Sequence, residues 1–270
     1  MTILDEIAAK TRQRITEKST KIPLQAVRSQ AEELPADSGF PFEQALRKPG
    51  MSLICEVKRA SPSKGLIAPE FPYLQIAKEY EAAGAAAISC LTEPYYFQGR
   101  DEYLQDIAAQ VSIPVLRKDF TVDPYMIYEA KILGASAILL ICAILDDSEL
   151  KEYITIAKEL GLSALVETHS AEEVERALAC NAGIIGVNNR DLKTFHVDVS
   201  TSIQLREMVP KGIVYVSESG MQDADDLARL YKNRTDAVLI GETLMRAEDK
   251  RRMLERLLVG CRNLQTEEPM

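Results

Sequence analysis

The sequence predicts a (β/α)8 barrel with an N-terminal helical extension. Three observations carry this. Eight short apolar runs recur between residues 52 and 241, and a stretch with helical spacing follows each run. The whole repeat takes about 210 residues, within the usual size of that barrel. The charged residues also collect at the C-terminal ends of the runs, where such barrels place their chemistry. A doubly wound open sheet is the rival, but it usually has five or six strands, and no G-x-G-x-x-G follows the first run.

Residues 1–48 precede the repeat. They predict an amphipathic helix over about Thr2 to Thr16 and a second near Phe42–Arg47. No Gly/Ser linker separates them from residues 49–270, so they read as an extension packed on the barrel, within a single domain. The runs are Ser52–Lys58, Ala86–Leu91, Val115–Asp119, Ala137–Cys142, Ala164–Glu167, Ile184–Asn188, Val214–Glu218 and Ala237–Gly241. Short, continuous and apolar, they fit strands buried on both faces. Between them, Tyr73 opens a helix that Gly84 ends. Asp123-Pro124 supplies an N-cap with proline at the first helical position. Ser170 with Glu173 has the spacing of a capping box. Asp146-Asp147-Ser148, Asp198 and Asp223 can cap the other helices.

Composition removes several function classes. Lys and Arg total 32 against 41 Asp and Glu, a net charge of −9. That balance suits neither the phosphates of nucleic acid nor an anionic membrane surface. With 46% hydrophobic and 27% charged residues the chain can bury a large core. The longest apolar run, Ala135 to Leu145, is too short to span a bilayer, and the acidic N-terminus is no secretory signal. Five scattered cysteines, Cys55, Cys90, Cys142, Cys180 and Cys261, lack zinc-ligand spacing and read as reduced, mostly buried thiols of a cytoplasmic protein. Only two histidines are present, neither spaced with other ligands, so no catalytic transition metal is expected. His169 reads as a solvent-facing residue near a helix cap and His196 as a loop residue.

Strand side chains alternate faces. If Cys55 and Val57 face the helices, Glu56 and Lys58 point into the barrel mouth; Lys118 shares a face with Leu116 and Phe120, and Glu167 with Leu165. At least three carboxylates and two ammonium groups then meet in one cavity. An ion-pair ring that merely plugs the barrel is the alternative, but clustered ionisable groups at this end of the fold favour a site. Two lysines on one cavity are also expected to lower each other's pKa. The seventh and eighth strands end in Ser219-Gly220 and Gly241-Glu242, each leading into a helix, in the loops where this fold binds phosphate. Ser61-Pro-Ser-Lys64-Gly65 reads either as an exposed turn or as a mobile lid. Tyr95, Tyr96 and Phe97 bring three aromatics to the same rim, with Phe120 as a second wall for a flat ring.

Read together, Cys55-EVKRASPSKG, Leu116-RKDF, Leu165-VET, Gly186-VNNRDL, Val216-SESG and Leu239-IGETLMR resemble the indole-3-glycerol-phosphate synthases of tryptophan biosynthesis, in order and across the whole barrel. The helical extension matches too. The sequence departs from other members at Ala60, Lys64 and Glu242, the last standing where some carry serine, so a phosphate contact there would use its backbone N–H. The chain ends after the eighth helix, and the expectation is a monofunctional enzyme without a fused isomerase domain.

The resemblance implies that 1-(2-carboxyphenylamino)-1-deoxyribulose 5-phosphate closes a pyrrole ring with loss of carbon dioxide and water. It implies Lys118 as the acid for ring closure and Glu167 as the base, with Glu56 orienting the lysines. Lys58 would hold the substrate carboxylate and serve as acid in dehydration. Asn188, supported by Arg190, would orient the substrate, and Glu218 would shape the polar wall. Phe97, Phe120 and Leu139 would line the aryl pocket; Ser61, Ser219, Gly220, Gly241 and Glu242 would hold the phosphate. No cofactor is expected, because the arene is itself the carbon nucleophile. The expected partner is this small-molecule substrate, with no nucleic acid and no membrane. A monomer is expected, associating at most weakly with other tryptophan-pathway enzymes. Two rivals remain at this stage: a class I aldolase using Lys118 as a Schiff base, and a non-catalytic phosphate-binding barrel.

Overall fold

The computed structural model describes residues 2–191 and 194–267; the last residue of the Gly186–Leu192 motif lies outside them. Eight parallel strands close on themselves: β1 (Ser52–Val57), β2 (Ala87–Leu91), β3 (Val115–Lys118), β4 (Ala137–Ile141), β5 (Ser163–Thr168), β6 (Ile184–Asn188), β7 (Val214–Glu218) and β8 (Ala237–Ile240). Each pairs with the next, and β8 returns to β1 with Ser52 opposite Ala237 and Cys55 opposite Ile240. Alternation along each strand separates two cores. Ile54, Leu116, Leu139, Leu165, Val216 and Leu239 fill the barrel. Cys55, Val57, Ile88, Leu140, Val166 and Val238 pack outward against the helices. Burying a side chain of this size contributes about 1.5–3 kcal/mol, so a strand slipped by one residue would lose its whole inner set.

The outer ring comprises α4 (Tyr73–Ala82), α5 (Asp101–Gln110), α6 (Pro124–Ile132), α7 (Asp147–Glu159), α8 (Ala171–Ala179), α9 (Ser200–Leu205) and α10 (Ala224–Lys232). The short α11 (Glu242–Arg246) and the long α12 (Lys250–Glu267) follow β8. Gly84 ends the α4 segment in the left-handed region, at φ 92°. Asp123, Asp146 and Asp223 each accept an N–H of the helix they open. Asp146 and Glu149 form a full capping box. The expected box at Ser170 is only half made: Ser170 accepts the Glu173 N–H, but the Glu173 carboxylate accepts the N–H of His169 instead of that of Ser170. Asp198 accepts the Ser200 N–H, one residue ahead of the N-cap position of α9.

The extension holds three helices: α1 (Ile3–Lys21), α2 (Leu24–Glu32) and α3 (Pro41–Leu46). The first runs past the expected end at Thr16. The second was not anticipated, although Leu24, Val27 and Ala31 recur at helical spacing; it is short, and only Val27 and Ala31 of it are buried. Helix α1 braces the C-terminal rim of the barrel. Arg12 donates to the Val122 carbonyl at 2.7 Å, Arg14 pairs with Asp119 at 3.0 Å, and Lys18 pairs with Asp101 at 2.8 Å and with Glu129. Asp101 and Glu129 also flank the buried Arg117 guanidinium, at 2.7 and 2.8 Å. Helix α3 closes the other end. Phe42 and Leu46 enter the inner core, Arg47 donates to the Gly212 carbonyl at 2.7 Å, and Ser52 Oγ donates to the Ala45 carbonyl at 3.2 Å.

All five cysteines are buried free thiols. Among the described residues no helix is long and apolar enough to cross a membrane.

Candidate active site

The five predicted charged residues do converge at the C-terminal mouth. Because Cys55 and Val57 face the helices, Glu56 turns inward, and Lys58 meets it at 2.5 Å. Lys118 Nζ lies 3.0 Å from Glu167 Oε2 and 3.5 Å from Glu218 Oε2. Glu56, Glu167 and Glu218 are all buried. Buried charge is costly unless paired, so the protonation pattern must be near neutral overall.

It is. Burial opposes the charge on Lys118, but Glu167, Glu218 and Glu56 outweigh it and hold the ammonium well above its ordinary pKa. The expected lowering of the Lys118 pKa is therefore reversed, because the acidic groups Glu167, Glu218 and Glu56 surround it. Burial also works against ionised Glu167, yet Lys118, His169 and a hydrogen bond from Asn188 bring its pKa down to about 2. Glu218 goes the other way. Burial, with Glu167 and Glu56 alongside, exceeds the pull of Lys118 and lifts it to about 8. At neutral pH Glu218 is a carboxylic acid beside an ionised Glu167, and neither of its oxygens receives a hydrogen bond from a protein donor.

Two glycines, Gly186 in the middle of β6 and Gly241 just past β8, make room for these carboxyls. A Cβ on Gly186 would stand 2.2 Å from Glu218 Oε1; one on Gly241 would stand 2.2 Å from Glu56 Oε1 and 3.0 Å from Lys58 Nζ. Gly241 thus has a role beyond the phosphate contact expected of it. The atoms struck are the ends of flexible side chains, so the fold should yield while the charged cluster shifts. Gly186→Ala is expected to cost about 1 kcal/mol of stability but to lower kcat on the order of 10- to 100-fold, the effect of misplacing a reacting group. Thermal melts beside steady-state rates check this, and a fall in stability without a fall in kcat would refute it.

The aryl wall forms in part. Phe97 and Phe120 lie 6.1 Å apart between centroids, and Leu139 joins Phe120 in the inner core. Tyr95 turns outward and is 57% exposed, whereas Tyr96 packs against the inner core beside Phe97 and donates its hydroxyl to Glu6 at 2.6 Å. The loop is shaped by Glu93, fully buried, whose carboxylate accepts the N–H groups of Tyr95, Tyr96 and Phe97. The sequence reading gave Glu93 no role; an acid just before a turn was the available signal.

On the phosphate side, pairing of β7 with β8 sets Ser219-Gly220 beside Gly241-Glu242. Ser219 and Gly220 both have left-handed backbone, at φ 66° and 97°. Asn189, another residue given no role, holds this turn by donating to the Ser219 carbonyl at 3.0 Å and to Ser217 Oγ at 2.9 Å. Of the two readings of Ser61–Gly65, the exposed turn is what forms: it is the tip of a short antiparallel hairpin, Ala60–Ser61 with Gly65–Leu66, with Ser61 itself buried. Lys64 at its tip reaches Glu242 at 3.6 Å, and Arg246 pairs with Glu242 at 3.1 Å. Asn188 stands by Glu167 and accepts the Arg190 N–H at 3.1 Å. The Arg190 guanidinium donates to the Phe195 carbonyl at the rim, so its support reaches Asn188 through the backbone. His196 is an exposed loop residue, as expected. His169 is not solvent-facing: its side chain, only 13% exposed, lies between Glu167 and Glu173.

A cleft of about 610 Å³ lies elsewhere. Arg47, Lys48, Lys211 and Arg234 line it at the N-terminal end of the barrel. It holds none of the groups described above, so chemistry and not volume assigns the site.

Comparison with known proteins agrees. The family described as indole-3-glycerol phosphate synthase matches residues 4–257. The chain is 56% identical over 247 residues to the indole-3-glycerol phosphate synthase of Ruminiclostridium cellulolyticum, covering 92% of this chain and 95% of that one. It is 50% identical over 262 residues to that of Lactiplantibacillus plantarum, covering 96% and 99%. Among solved structures it resembles thiamine phosphate pyrophosphorylase from Pyrococcus furiosus (TM-score 0.60, 17% identity, 79% of this chain and 96% of that one). It also resembles KGPDC from Streptococcus mutans (TM-score 0.62, 11% identity, 80% and 99%). At those identities the solved structures establish the barrel alone, whereas the family match spans both the barrel and its charged mouth. The chain belongs to the indole-3-glycerol phosphate synthase family.

Proposed function

We propose that this barrel converts 1-(2-carboxyphenylamino)-1-deoxyribulose 5-phosphate to indole-3-glycerol phosphate, carbon dioxide and water, with the residue roles that follow. The observation that carries the reading is the contact of Lys118 with Glu167 and Glu218 in the same mouth as the Lys58–Glu56 pair. Lys118, held as an ammonium by its carboxylates, gives its proton to the ketone oxygen while the aryl carbon attacks. Lys58 turns from Glu56 to the substrate carboxylate and holds it until it leaves as carbon dioxide. The hydroxyl then departs as water with a proton from Lys58, which solvent replaces; this is the one proton that loss of the carboxylate as carbon dioxide consumes overall. Glu167 takes the proton whose loss completes the pyrrole ring. At 3.0 Å from Lys118 it can return that proton and reset acid and base together. General acid–base steps of this kind contribute about 10²–10⁴-fold each.

The phosphate sits against Ser61, Ser219 and Gly220 and the N–H groups of Gly241 and Glu242. The carboxylate of Glu242 would repel it, and the ion pairs with Lys64 and Arg246 offset that charge. The aryl ring lies between Phe97 and Phe120, near Leu139. A Schiff-base aldolase fits less well, since a lysine kept charged by its acidic neighbours, Glu167 foremost, is a poor nucleophile.

The test is indole emission. The chain has no Trp, so its own background is low. Adding the carboxyphenylamino-deoxyribulose phosphate should raise an indole signal. Binding of this compound without any signal would leave a phosphate-binding barrel of another activity.

A further inference from the structure

His169 follows β5 directly; its Nδ1 is held by Glu173, while Nε2 is buried without a hydrogen-bond partner and faces Glu167 at ion-pair distance. Nε2 lies 3.4 Å from Glu167 Oε1, and Nδ1 lies 3.2 Å from Glu173 Oε2. Glu173 also accepts the His169 backbone N–H at 2.7 Å, in place of the Ser170 N–H that a closed capping box would use. Glu173 is therefore turned from helix capping to bracing this ring. The other oxygen of Glu167, Oε2, is the one that meets Lys118. Glu167 thus has an ammonium hydrogen-bonded to one oxygen in the cavity and an imidazole facing the other from behind, where a charged ring acts on it through electrostatics.

The charged groups facing His169 are all acids: Glu167 of its own strand, Glu173 of α8 and Glu218 of β7. The nearby Cys142 thiol, which contacts the Glu173 carbonyl, stays uncharged, because burial pushes it up to about 12. Burial disfavours a charged ring, but these acids win and raise the His169 pKa above its ordinary value.

We propose that His169 is a positioning residue for Glu167: as an imidazolium braced on Glu173 it fixes one carboxylate oxygen from behind, so that the other faces Lys118 and the reacting carbon. The proposal rests on the role of Glu167 as base. It adds a residue that touches no substrate and acts only through that carboxylate. Its sign follows from the charge. As pH rises through the ionisation of His169 the cation is lost, Glu167 loosens, and kcat falls.

The test compares wild type, His169→Asn, Glu173→Gln and Glu167→Gln by kcat and KM across the range in which imidazole titrates. His169→Asn keeps a polar side chain of similar reach without the charge. It should lower kcat at neutral pH by about tenfold or more, leave KM nearly unchanged, and abolish the alkaline fall assigned to His169. Glu173→Gln should move that fall to lower pH. The chain has only two histidines, so ring NMR signals give the His169 ionisation directly, and it should drop in Glu173→Gln and in Glu167→Gln. Wild-type kcat and pH profile in His169→Asn would overturn the proposal, as would a loss of kcat with the alkaline fall retained. Should His169→Asn fail to fold, the direction of the shift in Glu173→Gln decides alone. An active Glu167→Gln would remove the base assignment itself, whereas an inactive Glu167→Gln beside an unchanged His169→Asn removes only the positioning role.

Discussion

Lys118→Ala should lower kcat toward the upper end of the roughly 10²–10⁴-fold range of general acid catalysis, with substrate still bound. In the proposed mechanism the ammonium serves two purposes at once: it donates to the ketone oxygen, and it keeps Glu167 ionised beside a protonated Glu218. Without it the buried Glu167 takes up a proton and ceases to be a base. Arginine should not rescue the variant, since a guanidinium does not release its proton. Stability gives a second check with a definite sign. The Glu167 pKa is depressed from 4.5 to about 2, so its pairing stabilises the fold above pH 4.5 and that contribution is lost as pH falls toward 2. The gap in melting temperature between wild type and Lys118→Ala should be widest near neutrality and close in acid. A gap that grows on acidification, or a variant that loses binding as much as turnover, would remove Lys118 from the chemistry.

Glu167→Gln should be as inactive in overall turnover, by about 10²–10⁴-fold, but should stop at a different point. Glutamine preserves the shape of the side chain and can still meet Asn188, yet it cannot accept a proton. Ring closure and decarboxylation precede the step that needs the base. Substrate labelled in its carboxylate should therefore release about one equivalent of carbon dioxide per site in a single turnover, with no indole emission. Carbon dioxide and indole appearing together at wild-type rates would assign the base elsewhere, and Glu218, already near neutrality at about 8, would be the group to test next.

The barrel was legible because a parallel strand buried on both faces must be a short apolar run, and each run ends where charge begins. All eight strands formed within those runs or a residue or two of them. The inward direction of Glu56, Lys118 and Glu167 followed from alternation alone. Helix α2 was missed although Leu24, Val27 and Ala31 stand at helical spacing, since a nine-residue segment offers only about two turns of that pattern. Relations across the barrel were hidden for a different reason. Alternation orders residues within a strand, but the pairing of Lys118 with Glu167 and Glu218, in place of a mutual effect with Lys58, depends on distances between strands far apart in sequence. So do the fit of Glu218 over Gly186 and the place of His169 between two acids. His169 looked like a surface residue because it stands at a loop; its burial comes from Glu173, which the spacing had assigned to the Ser170 cap.

The N-terminal segment has a consequence for how the molecule is made. Helix α1 docks on residues 101, 119, 122 and 129, and Arg47, just past α3, bonds to residue 212. A ribosome releases these helices first, long before their docking surfaces exist. They must wait as unanchored chain while the ring is synthesised, and the cost of closing such long loops is met only once nearly all of it is present. The segment synthesised earliest is therefore among the last to settle. Its docking marks the moment at which both ends of the ring are complete.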